Sequence, residues 1–185
     1  MAKRPAIFLD RDGVLNDVVW RDGKPASPRT PEELVVADGA AAAVAAFQAA
    51  GYLTFVVTNQ PDVRRGKMTA KALDAIHAAL VAQVPVDEVR ACLHDTADGC
   101  ACRKPRAGML LDLSARWAID LGASWMIGDM DRDVECGRSA GVGTVLLDRP
   151  YNSRSGADVV LPDLTRAAAW ILETQSASRA PALQD

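Results

Sequence analysis

No apolar run in the 185-residue sequence is long enough to cross a bilayer. The longest, such as Ala40–Phe47 and Val142–Leu147, fall far short of the roughly 20 residues that a spanning helix needs. The apolar stretch after Pro5 stops at Asp10, too soon for the core of a secretory signal, so the sequence predicts a cytoplasmic protein. In that reducing compartment the four cysteines are not expected to form a disulfide framework. A strong charge of one sign is missing too: 21 Lys+Arg face 24 Asp+Glu, a net of −3. Such a chain has no general attraction for anions and must grip an anionic ligand locally. Aromatic residues are only 5% of the chain, and no basic stripe carries them, which argues against nucleic acid as the ligand. Repeats, low-complexity linkers and internal boundaries are all absent. With 49% apolar residues, disorder is excluded as well. One domain is expected over 1–175, with a flexible Ser/Ala/Pro-rich tail at 176–185.

What is present is alternation. Strand-length apolar runs fall at 6–10, 53–57, 89–93, 124–127, 144–147 and 157–161, with helical patterns at 38–50, 69–83, 107–121, 131–140 and 163–174. Thr69 is a natural N-cap and Gly51 a natural C-cap. This order predicts an α/β protein built on a doubly wound, Rossmann-like parallel sheet with helices on both faces. Trp20–Pro31 is the longest stretch with no element assigned. Ligands of such sheets bind beyond the carboxyl ends of the strands, so the residues just after each apolar run carry the functional information.

Four groups stand there. Asp10-Arg11-Asp12-Gly13-Val14-Leu15-Asn16 follows the first run. Its two carboxylates can divide the roles of nucleophile and proton carrier, or help hold a hard cation. Thr58-Asn59-Gln60 ends the second, with a hydroxyl and an amide able to donate to a phosphoryl oxygen. Arg103-Lys104-Pro105 and Gly128-Asp129-Met130-Asp131-Arg132-Asp133 follow the third and fourth. Singly, each has an ordinary reading as a solvated turn, a loop cap, a surface basic pair or a helix N-cap. Nucleophile, hydroxyl, cation and acid at four successive strand ends are hard to assemble by chance.

Between the third run and Lys104 lies Cys92-x-His94-x5-Cys100-x-Cys102. Three thiols and an imidazole in two tight pairs form a tetrahedral ligand set for Zn²⁺. The intervening Asp95, Thr96, Asp98 and Gly99 are loop formers, and a Cys-x-Cys disulfide would be strained. Four protein ligands close the site, so the zinc is expected to be structural and to fix the loop presenting Arg103 and Lys104. Cys136 is expected to be a small core residue, and His77, on an amphipathic helix, to be structural or solvent-facing.

The strand-end set resembles the haloacid-dehalogenase-like phosphatases over Ile7 to about Asp148. The resemblance implies that Asp10 is a nucleophile forming an aspartyl-phosphate, and that Asp12 protonates the leaving alcohol and then activates water. It implies Mg²⁺ on Asp10, the Asp12 main-chain carbonyl and Asp129. Thr58, Asn59 and Lys104 would bind phosphate, with Asp133 orienting Lys104 or a metal-bound water. The zinc loop at 92–102 and Cys102-Arg-Lys-Pro-Arg-Ala-Gly-Met109 look like the histidinol-phosphate and heptose-bisphosphate phosphatases, which are nearly capless. In the heptose enzymes the arginine matching Arg103 binds the remote phosphate. Arg64-Arg65-Gly66-Lys67 leans the same way, with Arg65 a substrate contact, whereas the short zinc loop and Pro61-Asp62-Val63 depart from the heptose pattern. The expectation is a monomeric heptose 1,7-bisphosphate 7-phosphatase. The alternatives are a histidinol-phosphate or other sugar-phosphate phosphatase, a zinc-stabilised binding module, and a nucleic acid 3′-phosphatase.

Overall fold

In the computed structural model, which describes residues 3–179, strand β1 (Ala6–Leu9) sits at the centre of a six-stranded sheet. On one side lie β4 (Leu53–Asn59) and the edge strand β5 (Glu88–Cys92); on the other lie β6 (Trp125–Gly128), β7 (Gly143–Leu147) and β8 (Val159–Leu161). Every pairing in this sheet is parallel. The chain leaves β1 toward β4 and β5, then returns to β6 on the opposite side. That reversal opens a crevice at the carboxyl end of β1.

Alternation along each strand feeds two apolar layers. Ile7, Leu9, Val56, Ile127 and Val145 pack with Val44 and Phe47 of α1 (Ala40–Ala49), and with Ala167 and Ile171 of α5 (Leu164–Arg179). Phe8, Phe55, Val57 and Met126 face the other way. They meet Leu110 and Leu113 of α3 (Gly108–Trp117) and Cys136 of α4 (Asp131–Ala140). On α2 (Ala70–Gln83), Leu73, Ile76 and Leu80 are buried, and the Thr69 hydroxyl accepts from Ala72 N–H as its cap. No helix among the described residues is long and apolar enough to cross a membrane.

Three local expectations change. The stretch from Trp20 to Pro31 contains a hairpin, β2 (Val19–Arg21) and β3 (Lys24–Ala26), paired antiparallel. Asp22 and Gly23 between them both take positive φ, 50° and 71°, the two-residue turn that matches strand twist and that Asp-Gly favours. α3 stops at Trp117 because Ala118 turns left-handed at φ 52°. α5 runs to Arg179, beyond the expected end near Thr174 and into the segment expected to be a flexible tail; residues 180–185 of that tail lie outside the described residues.

Candidate active site

The ends of β1, β4 and β6 and the segment before α3 converge on one cluster. Lys104, fully buried, holds Asp10 Oδ1 at 2.9 Å and Asp133 Oδ1 at 2.7 Å. Burial alone would strip its proton, but the two carboxylates outweigh it and hold the ammonium above its ordinary value. Burial raises Asp10 to about 6, against the pull of Lys104. Asp10 Oδ1 also accepts the Arg11 N–H at 2.7 Å. Thr58, at the end of β4, is buried and lines the same cavity of about 110 Å³ with Asp10, Asp12 and Asp129.

Asn59 also serves the segment that carries Lys104. Its Oδ1 accepts the Lys104 N–H at 3.1 Å and its Nδ2 donates to the Lys104 carbonyl at 3.0 Å. Each amide atom makes one bond to the lysine main chain, and Nδ2 keeps a second N–H while Asn59 lines the cavity.

Asp12 is bound from four directions. The buried Arg11 forks over it, Nε to Oδ1 at 3.0 Å and Nη2 to Oδ2 at 3.1 Å. Ser27 Oγ donates at 2.7 Å, Gln60 Nε2 at 2.9 Å and Asn16 Nδ2 at 3.1 Å. Burial would raise this carboxyl; Arg11 and these three donors outweigh it and hold it below its ordinary value. Without a ligand, then, Asp12 is an anion. Sequence reasoning assigned no role to Arg11, Ser27 or Gln60. Only Ser27 had a structural signal, the Asp-Gly turn of the hairpin that delivers it.

The acidic cluster suits a cation. Asp10, Asp129 and Asp133 each bring a carboxylate oxygen within 4.8 Å of the others. Asp129 is raised to about 8, by burial first and then by repulsion from Asp10 and Asp133. Tyr151 donates to Asp129 Oδ2 at 2.6 Å, while Oδ1 is buried with no hydrogen-bond partner. Oxygen donors, repelling charges and an orphaned carboxylate oxygen fit Mg²⁺. Lys104 bonds both Asp10 and Asp133, whereas Asp129 forms no salt bridge among the described residues. Gly13, at φ 83°, lets the chain pass this point, since a Cβ there would lie 2.0 Å from Asp129 Oδ2. Tyr151 was also missed by sequence reasoning. It lies in a loop, 22 positions from the carboxylate it serves.

Cys92, at the end of β5, meets His94, Cys100 and Cys102 in one cluster. Cys92 Sγ is 3.7 Å from Cys100 Sγ and 3.2 Å from Cys102 Sγ, and His94 Nδ1 is 3.3 Å from Cys102 Sγ. All four cysteines of the chain are free thiols. Tetrahedral zinc with sulfurs at about 2.3 Å separates its ligands by roughly 3.7 Å, so the cluster needs little adjustment to close on one ion. Arg103 Nη1 donates to His94 O at 3.0 Å, tying the expected substrate arginine to this loop. Cys136 is buried, as expected, with Sγ on Arg106 O at 3.4 Å. His77 is half-buried, and burial first, then Arg11, lowers it to about 4.

Next to the catalytic cavity runs a groove of about 530 Å³ lined by Arg21, Lys24, Arg29, Lys67, Arg103 and Arg132, among others. Arg65 lines it too, with its fork engaged by Asp95 at 2.6 and 2.7 Å. Arg64 pairs with Asp98 at 3.6 Å.

Residues 101–167 match the HAD-hydrolase-like family model. The chain is 39% identical over 152 residues to D-glycero-beta-D-manno-heptose-1,7-bisphosphate 7-phosphatase of Rhodopseudomonas palustris, covering 76% of this chain and 81% of that one. It is 35% identical over 153 residues to the alpha-heptose enzyme of Campylobacter jejuni, covering 78% and 83%. Among solved structures, the D,D-heptose 1,7-bisphosphate phosphatase of B. bronchiseptica, complexed with magnesium and phosphate, superposes with a TM-score of 0.78. That match is 30% identical and covers 92% of this chain and 99% of the other.

Proposed function

The chain belongs to the haloacid-dehalogenase-like phosphatases, and we propose that it removes the C7 phosphate of D-glycero-D-manno-heptose 1,7-bisphosphate. The observation that carries this reading is the joining of two spaces. A small cavity holding Asp10, Asp12 and Thr58 opens beside a basic groove, with Ser27, Asn59 and Arg132 lining both. A compact sugar with phosphates at opposite ends suits that pair.

In the reaction proposed, an Asp10 carboxylate oxygen attacks phosphorus as the bond to the sugar oxygen breaks. The leaving oxygen takes a proton from Asp12. Water then gives a proton to Asp12 and attacks the phosphorus; the bond to Asp10 breaks and inorganic phosphate leaves. The first step needs Asp12 protonated, whereas its donors hold it charged. A phosphate dianion placed beside Asp12 raises its proton affinity, so the acid is armed by the substrate itself. Lys104 and Thr58 bind the phosphoryl oxygens, Asp133 and Asn59 hold Lys104 in place, and Arg103 meets the remote phosphate. Mg²⁺ held by Asp10, Asp129 and the Asp12 carbonyl would supply charge neutralisation at the transferring group.

Zn²⁺ on Cys92, His94, Cys100 and Cys102 would lock the loop that carries Arg103 and Lys104. Ligating thiolates suit a cytoplasmic, reducing setting. The test is a comparison of specificity constants for heptose 1,7-bisphosphate and histidinol phosphate. A large preference for the bisphosphate is expected; a preference for histidinol phosphate would overturn the choice of substrate.

A further inference from the structure

The first turn of α4 carries a cation where a helix favours anions. Arg132 stands there, exposed, between Asp131 and Asp133, opposing the positive end of the helix dipole. Neither neighbour forms a salt bridge with it, although its charge acts on Asp10 and Asp129 across the cavity. Asp133 is bound to Lys104 at 2.7 Å, and Asp131 accepts from Ser153 N–H at 3.2 Å and Ser153 Oγ at 2.8 Å. Among the described residues Arg132 forms no salt bridge, whereas Arg21, Arg29 and Arg65 in the same groove are paired with Glu33, Asp62 and Asp95.

Its position is as unusual as its freedom. Arg132 borders the catalytic cavity, the basic groove, and a third recess shared with Arg103 and Lys104. Among the described residues no other cation lines both the catalytic cavity and the groove. A substrate reaching from one to the other would cross the junction that Arg132 lines with Ser27 and Asn59.

We propose that Arg132 is a specificity-determining residue: it binds the non-reacting phosphate of a bisphosphate substrate at the junction of cavity and groove. A planar fork with no carboxylate partner can take two phosphate oxygens together. An anion there would also relieve the unfavourable placement of the cation on the helix. The inference rests on the bisphosphate reading above and adds to Arg103 a second residue that meets the non-reacting phosphate.

The test measures kcat and KM for heptose 1,7-bisphosphate and for heptose 7-phosphate with the native chain, Arg132→Ala and Arg132→Lys. The native chain should prefer the bisphosphate. Arg132→Ala should lose on the order of 10- to 100-fold in kcat/KM for it, mainly through KM, and lose clearly less on the monophosphate. Arg132→Lys should restore only part, because a point charge cannot replace a fork. If Arg132→Ala keeps the native preference, the inference fails while the bisphosphate reading stands. If it loses equally on both substrates, Arg132 serves the reacting phosphate and the inference also fails. If the native chain shows no preference for the second phosphate, the bisphosphate reading itself fails.

Discussion

Asn59 holds Lys104 by its main chain, accepting from its N–H at 3.1 Å and donating to its carbonyl at 3.0 Å. The side-chain amide thus acts as one more strand residue, carrying the end of β4 across to the segment before α3. Asn59→Ala would leave the buried Lys104 N–H and carbonyl unsatisfied, costing about 1–3 kcal/mol. It would also free Lys104 to drift from Asp10. We expect kcat to fall on the order of 10²-fold, with a lower Tm. Near-native kinetics would show that Lys104 is placed by Asp133 alone.

Asp10→Asn keeps an oxygen for the Arg11 N–H and for Lys104 but removes the attacking carboxylate. Turnover should fall by about 10⁴-fold or more, with folding retained by circular dichroism. Appreciable phosphatase activity in a folded variant would exclude the covalent route.

Gly13→Ala tests how tightly β1 and β6 meet. The position has φ 83°, and the added methyl would overlap the Asp129 carboxylate. Left-handed backbone costs an L-residue roughly 1–2 kcal/mol before any overlap. We expect loss of activity that excess Mg²⁺ does not restore, together with reduced thermal stability. An active variant with ordinary Mg²⁺ dependence would contradict the close packing of Gly13 on Asp129.

Metal analysis of the purified chain should find stoichiometric zinc, lost in Cys100→Ser. Chelation followed by Mg²⁺ alone should lower both kcat and Tm, because Arg103 is bonded to the carbonyl of His94. Full activity in zinc-free, Mg²⁺-supplied protein would separate the cluster from catalysis.

His77 makes stability sensitive to acid. Folded, its value drops from 6.5 to about 4, through burial first and then Arg11. Between those values the unfolded chain takes up a proton that the folded chain refuses, so stability falls as pH falls through this window. The raised Asp10 and Asp129 act in the opposite direction, but they are common to native and variant chains. The difference between native and His77→Gln should therefore isolate the imidazole. Its contribution is on the order of 2 kcal/mol across the window, read from urea unfolding at pH 4.5 and 7. Equal pH dependence in both would show that the ring titrates freely.

The alternation of elements was readable because buried parallel strands are short, continuous and apolar, and helices have caps such as Thr69. The convergence of Asp10, Thr58 and Asp129 was readable because this architecture gathers its strand ends, whereas Lys104 reaches Asp10 from the segment before α3. Partner choice was not. Periodicity cannot show that the Asn59 amide turns to a backbone 45 positions away, nor that Arg11 folds inward over Asp12. The hairpin at 19–26 left a trace in Asp22-Gly23, outweighed by the Pro, Arg and Gly around it. Tyr151 left none, since a single aromatic in a loop has no pattern to betray its target.

β5, whose last residue is Cys92, lies at the rim of the sheet. An open rim invites another chain to add a strand, a route to aggregation. Here the rim is short and guarded by charge: Arg90 reaches Asp112, and Glu88 reaches Arg116 and Trp117 across α3. Neutralising that row by Glu88→Val and Arg90→Val would leave every strand-end group in place, yet should turn a colloidally inert border into an adhesive one.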